Sequence, residues 1–156
     1  MYNHEPANYT CPFCSLVAGN ETEEVWTKQN NIVFKDEYTT AFVSSMWWPN
    51  NKGHVLVIPN KHIENIYDVD EQTLGRVYVT TKKVALALKD VYHCEGVTIR
   101  QNNEPIGNQE IWHFHVHVFP RYTNDRLHEL FNEKYAAPLD EIRAFSQKLQ
   151  KYFSGL

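Results

Sequence analysis

The spacing of apolar positions changes period several times along the chain. Ile32-Val33-Phe34 and Ala41-Phe42-Val43 are short apolar runs parted by polar residues 35–40, and they predict two short strands. Pro49-Asn50-Asn51-Lys52-Gly53 predicts a loop, and His54-Val55-Leu56-Val57-Ile58 a strand stopped by Pro59. Asp70 is a candidate N-cap for a helix running to about Tyr92. Leu74, Val77, Tyr78, Thr81, Val84, Ala85 and Leu88 supply its apolar stripe at helical spacing. Residues 96–101 predict another strand, 103–108 a turn-rich loop, and Ile111 to Phe119 a strand that Pro120 ends. Pro138 leads a second amphipathic helix to about residue 154, with Leu139, Ile142, Phe145, Leu149, Tyr152 and Phe153 on its apolar side. Strands cluster while helices lie between and after them. The pattern predicts an α+β fold: an antiparallel β-sheet of about five strands with one long and one C-terminal helix.

Composition narrows the class. The 156 residues are 42% apolar with a net charge of -4, which fits one domain spanning 1–156. The mildly acidic balance argues against a broad grip on nucleic acid. No apolar run approaches the roughly 20 residues of a membrane-spanning helix, so no membrane partner is expected. Residues 1–20 lack a basic n-region and an apolar h-region. With an odd count of three cysteines, this predicts a reducing, cytoplasmic setting rather than a disulfide framework.

The candidate chemistry lies in His113-Phe114-His115-Val116-His117-Val118-Phe119. On a strand, Trp112, Phe114, Val116 and Val118 share one face and the three histidines the other, spaced by roughly 6.6 Å. Core packing does not call for a row of imidazoles between apolar residues. Three chemistries fit: a three-histidine metal site, nucleophilic catalysis by a neutral imidazole, or a row divided between metal and substrate. Cys11-Pro12-Phe13-Cys14 adds a C-x-x-C pair, which is half of a zinc site, a redox pair, or two small core residues. Cys94, His4, His93 and His128 have no motif around them.

The triad segment resembles the signature of the histidine-triad (HIT) family, His-φ-His-φ-His-φ-φ with φ apolar. The likeness extends to Cys11-Pro12-Phe13-Cys14, Gly53-His54-Val55-Leu56-Val57-Ile58-Pro59, Lys61-His62-Ile63, Gln101-Asn102-Asn103 and Gly107-Asn108-Gln109, and so spans about residues 11–122. It points to the zinc-carrying bacterial-type branch. The resemblance implies that His115 attacks the α-phosphorus of a nucleotide and forms a covalent nucleotidyl-histidine, which water or an acceptor then resolves. It implies that His117 orients the nucleophile, its main chain fixing the tautomer of His115, and that His54 tunes proton traffic. Asn102 would contact the phosphate or leaving group, and Gln109 would donate to the phosphate. Glu110 stands where the phosphoramidase branch often carries a serine. Magnesium is not strictly required where backbone amides and nearby donors neutralise the phosphate oxygens.

The same resemblance implies a structural zinc on Cys11, Cys14, His62 and His113, a purine nucleotide as substrate, and a homodimer. The chain departs from the family after Ala41-Phe42, where many relatives carry a ribose-binding Asp. It has Ser44 and Ser45 instead, then Trp47-Trp48 in a longer loop. Ser44 or Ser45 would make a single hydrogen bond there. The tryptophans would stack on a base or pack in the core or a dimer, and Arg121 would face phosphate or solvent.

Overall fold

The computed structural model describes residues 2–21 and 26–155. Asp36 turns the chain between β1 (Ile32–Lys35) and β2 (Thr39–Val43), its carboxylate accepting the backbone N–H groups of Tyr38 and Thr39. A two-residue strand β3 (Met46–Trp47) leads into the 49–53 loop and β4 (Val55–Pro59). Gly53 closes that loop at φ +75, and a Cβ there would collide with the Phe145 ring. Helix α2 (Glu71–Tyr92) starts where the sequence predicts, with the Asp70 carboxylate accepting the Thr73 N–H at 2.9 Å. It stops at His93, which takes a left-handed conformation. Then come β5 (Gly96–Gln101), β6 (Val116–Arg121), β7 (Tyr135–Ala136) and the C-terminal helix α3 (Leu139–Ser154).

Five strands form one antiparallel sheet in the order β1-β2-β4-β6-β5, and β3 pairs with β7 apart from it. One face is apolar and lies under α2 and α3. Ala41, Val43, Val55, Val57, Val116 and Val118 meet Val77, Val84, Ala87, Leu88, Ile142 and Leu149 there. On the opposite face Phe42, Leu56 and Ile58 pack against Phe13 and Leu16 of a short helix, α1 (Pro12–Ala18). That helix has a readable signal in Pro12 at its first position and Gly19 in the left-handed stop position.

The fold differs from the pattern reading in two places. Tyr78 and Leu139 sit outside the buried stripes of their helices and are exposed. More important, β6 begins at Val116, so residues 111–115 are not strand. His113 N–H donates to the Ile111 carbonyl at 2.8 Å, and Phe114 N–H to that of Ile63 at 2.6 Å. The 61–63 segment, not a neighbouring strand, therefore takes up the backbone here. Pro120 does not end the strand either. Its carbonyl accepts from Asn51 on the side where β4 has already ended, so the missing N–H costs the ladder nothing.

Candidate functional site

Cross-strand register sets the site. Phe42 lies opposite Leu56, Leu56 opposite His117, and His117 opposite Arg100. Directly paired residues share a face, so four strands contribute one row that runs from apolar through imidazole to cation. Above it is a cavity of about 440 Å³. His115, His117 and His54 line it together with Phe13, Leu56 and Arg100.

His115 is buried, and its Nδ1 lies 2.7 Å from the carbonyl oxygen of His113. A carbonyl only accepts, so Nδ1 carries the proton and Nε2 holds the free lone pair. The main chain that fixes this tautomer belongs to His113, which corrects the assignment to His117. His117 Nδ1 lies 3.3 Å from His54 Nε2. Two neutral rings then share one proton. Burial lowers the basicity of all three rings, and the Arg100 charge adds to the effect; His54 is pushed down to about 3. All three are neutral near pH 7, as an imidazole nucleophile requires.

The flanking residues divide. Asn102 and Glu110 line the cavity, Asn102 donating to the Asn108 carbonyl and Glu110 paired with Lys134. Ser44 also lines it, but its hydroxyl is engaged with the N–H and carbonyl of Met46. Gln109 stands apart from the cavity wall. Its amide donates to the Glu64 and Ile111 carbonyls at 2.6 and 3.1 Å and accepts the Glu104 N–H at 2.9 Å. The expected phosphate contact is thus replaced by a clamp on the 104–111 loop. Arg121 turns away as well, holding Asp125 through two nitrogens at 2.6 and 2.8 Å. Trp47 is core and donates to the Ser44 carbonyl at 2.7 Å, whereas Trp48 lines the cavity.

A second cluster lies on the far side of Phe13, whose ring touches both His113 and His115 edge-on. Cys11, Cys14, His62 and His113 each offer one ligand atom, all within 4.8 Å of one another. Cys11 Sγ and His113 Nδ1 are 3.3 Å apart, Cys14 Sγ and His62 Nδ1 3.2 Å, and Cys14 Sγ and His113 Nδ1 3.6 Å. A tetrahedron with Zn–S of about 2.3 Å and Zn–N of about 2.0 Å has edges of roughly 3.3–3.8 Å, so the donor set fits that ion. Both histidines present Nδ1, because His113 Nε2 faces the Pro59 carbonyl at 3.0 Å and His62 Nε2 the Glu5 carboxylate at 2.7 Å. Burial raises both thiols, Cys14 to about 12. No cationic side chain among the described residues depresses them, which disfavours the redox reading of C-x-x-C.

Three participants escaped the sequence reading. Phe13 separates the two clusters, while Arg100 and Lys134 bring charge to the cavity. For Arg100 a signal existed: it is the one cation of the predicted strand 96–101 and lies two residues before Asn102, a candidate site residue.

Residues 26–124 match the HIT domain family. An uncharacterised HIT-like protein of Methanocaldococcus jannaschii is 34% identical over 132 residues, covering 85% of this chain and 95% of its own. A bis(5'-adenosyl)-triphosphatase of Dictyostelium discoideum is 23% identical over 132 residues, covering 81% and 87%. Among solved structures, a HIT-like protein of Bartonella henselae superposes with a TM-score of 0.77 at 25% identity, over 94% of this chain and 98% of that one. A Zn-bound histidine triad family protein of Mycobacterium smegmatis gives 0.71 at 23%, over 94% and 98%. The chain belongs to the HIT family, and its sheet and helices are the HIT fold.

Proposed function

We propose that this protein is a nucleotide hydrolase or nucleotidyl transferase that acts on nucleoside monophosphate phosphoramidates or phosphoanhydrides through a nucleotidyl-His115 intermediate. The Nδ1–H hydrogen bond from His115 to the His113 carbonyl carries this reading, because it leaves Nε2 as the nucleophile without a deprotonation step. The nucleoside lies toward Phe13 and Leu56, and the α-phosphorus meets His115. The carbonyl of His113 stabilises the charged ring once Nε2 bonds to phosphorus. His54 and His117 pass a proton along their shared hydrogen bond, and Asn102 donates to the phosphate or leaving group. The Dictyostelium triphosphatase supports hydrolysis of purine dinucleotides as the kind of chemistry to test.

Zinc is assigned to Cys11, Cys14, His62 and His113 as a closed structural site; when bound it ties the N-terminal segment to the 61–63 and 111–115 segments. A homodimer is also proposed. Edge strand β5 exposes Ile99, and α2 exposes Val79 and Leu86.

The test compares wild type and His115→Asn on an adenosine phosphoramidate and on diadenosine triphosphate. Wild type turns over at least one of them, and quenched enzyme carries an adenylyl mass on the peptide containing His115. The variant loses both signals. Near wild-type turnover by the variant removes the mechanism. Tight mononucleotide binding by wild type with no turnover of either substrate would make the protein a binding module instead.

A further inference from the structure

Among the described residues Arg100 has no ion-pair partner, and the only acid whose charge reaches it is Glu110. Its guanidinium carbon lies 4.7 Å from the ring centre of Phe131, 5.0 Å from that of Phe119 and 5.7 Å from that of Trp48. Its Nε is buried with no hydrogen-bond partner, and no carboxylate among the described residues lies within ion-pair distance. The nearest acid on the cavity wall, Glu110, is paired with Lys134. A buried guanidinium Nε–H is costly to leave this way, since that donor loses water and gains nothing in return. The aromatic rings hold it in place by cation–π contact but satisfy none of its N–H groups. Neither the core nor the sheet ladder needs a charge at this position.

Its place in the cavity says what is missing. Arg100 sits two strands from Leu56, roughly 10 Å across the sheet, with His117 between them. Phe13, Leu56 and Ile111 form the apolar end of the cavity. A nucleotide with its nucleoside at that end and its α-phosphorus at His115 directs its leaving group toward Arg100.

We propose that Arg100 is a specificity-determining residue that binds an anionic leaving group, so that the preferred substrates are phosphoanhydrides whose departing group is itself a phosphate, rather than phosphoramidates that release a neutral amine. The proposal rests on the nucleotidyl-His115 reading and names the substrate class of that site. In the first step His115 Nε2 bonds to the α-phosphorus. The P–O bond to the bridging oxygen breaks, and its electron pair stays on that oxygen, so the departing phosphate gains a negative charge. The guanidinium contact strengthens as that charge grows, which places it on kcat as well as KM. In the second step water bonds to phosphorus, the P–N pair returns to Nε2, and a proton is released with the nucleoside monophosphate.

Arg100→Gln keeps a shorter polar side chain, with an N–H group near the position of Nε, and removes the charge. The first readout is the ratio of kcat/KM for diadenosine triphosphate to that for adenosine phosphoramidate, where the variant is expected to lower the ratio by about 30-fold, within the range of a charge-assisted hydrogen bond. Equal losses on both substrates, or no loss on either, overturn the proposal. The second readout needs no turnover. In the His115→Asn background, Arg100→Gln should weaken the nonhydrolysable α,β-methylene-ADP by at least tenfold while AMP changes less than threefold. Parallel weakening of both ligands would count against Arg100 as a leaving-group site. If wild type hydrolyses neither substrate, the His115 mechanism fails, and this binding arm still decides the role of Arg100.

Discussion

The Glu5 carboxylate lies 2.7 Å from His62 Nε2, and the backbone around it is itself held, because Glu64 accepts the N–H groups of His4 and Glu5 at 2.5 and 3.2 Å. The N-terminal arm is thus docked so that one acidic side chain sets the tautomer of a metal-ligand candidate. Glu5→Ala should weaken zinc binding by about tenfold, the lower end of the usual range for such outer partners. A competition titration against a chromophoric chelator measures it. Cys11→Ser in the same assay should remove high-affinity binding, and an unchanged affinity in Glu5→Ala would mean that His62 is oriented by packing alone.

Loss of stability in acid should track the buried imidazoles. His54 is pushed down to about 3, first by burial and then by the charges of Arg100 and His115. An unfolded histidine titrates near 6.5. Below that pH the unfolded chain takes up a proton that folded His54 refuses, so stability falls with pH between 6.5 and about 3, by about 1.4 kcal/mol per unit per such ring. Urea melts of His54→Gln at pH 7.5, 5.5 and 4.5 should show a shallower fall than wild type. Parallel curves would show that this ring already titrates normally in the fold.

Gln109 separates a structural role from a substrate role. Gln109→Leu strips partners from the Glu64 and Ile111 carbonyls and the Glu104 N–H inside the protein. The expected cost is about 2–3 kcal/mol in equilibrium unfolding at neutral pH. A residue that only touched phosphate would leave that stability unchanged and lower turnover alone.

Asp125 is the fastening point of the wall that carries Trp48. Its carboxylate accepts from Arg121, Asn51 and the N–H groups of Tyr122 and Leu127, while its carbonyl accepts from Asn50. The Arg121 guanidinium holds its carboxyl well below the usual carboxylate range. Asp125→Ala should cost about 3 kcal/mol, because it strands a charge in a mostly buried network. Thermal melts check this. The quenching of tryptophan fluorescence by an added solute should also rise, as Trp48 loses its cover.

Local patterns carried much of the fold. Asp70, the helical stripe through Leu88 and the strand at 96–101 all appear where spacing and capping predict them. These elements depend on neighbours a few residues away. The 111–115 segment does not, and alternation there misled: its backbone bonds to Ile63, about fifty residues earlier, so no local periodicity reports it. Gln109 departs from its expected phosphate contact, and Arg121 takes neither phosphate nor open solvent but Asp125, for the same reason. Each is a polar residue beside a motif, and each satisfies its side chain in a loop that folds back onto it. Trp47 and Trp48 are adjacent in sequence yet divide between core and cavity, because β3 turns one inward and the 49–53 loop leaves the other at the wall.

By itself the sequence determined the residue types of both clusters: imidazoles at every second position, a C-x-x-C pair and a Lys-His-Ile block. Only the tertiary structure decided which ring nitrogen faces what. The carbonyl of Pro59 takes the Nε2 proton of His113 and turns its Nδ1 to the thiols, whereas the carbonyl of His113 takes the Nδ1 proton of His115 and leaves Nε2 to the cavity. Two neighbouring histidines of one motif thus present opposite nitrogens to different sites. A tautomer is set by the acceptor that a distant or folded-back backbone supplies, and spacing along the chain does not encode that acceptor.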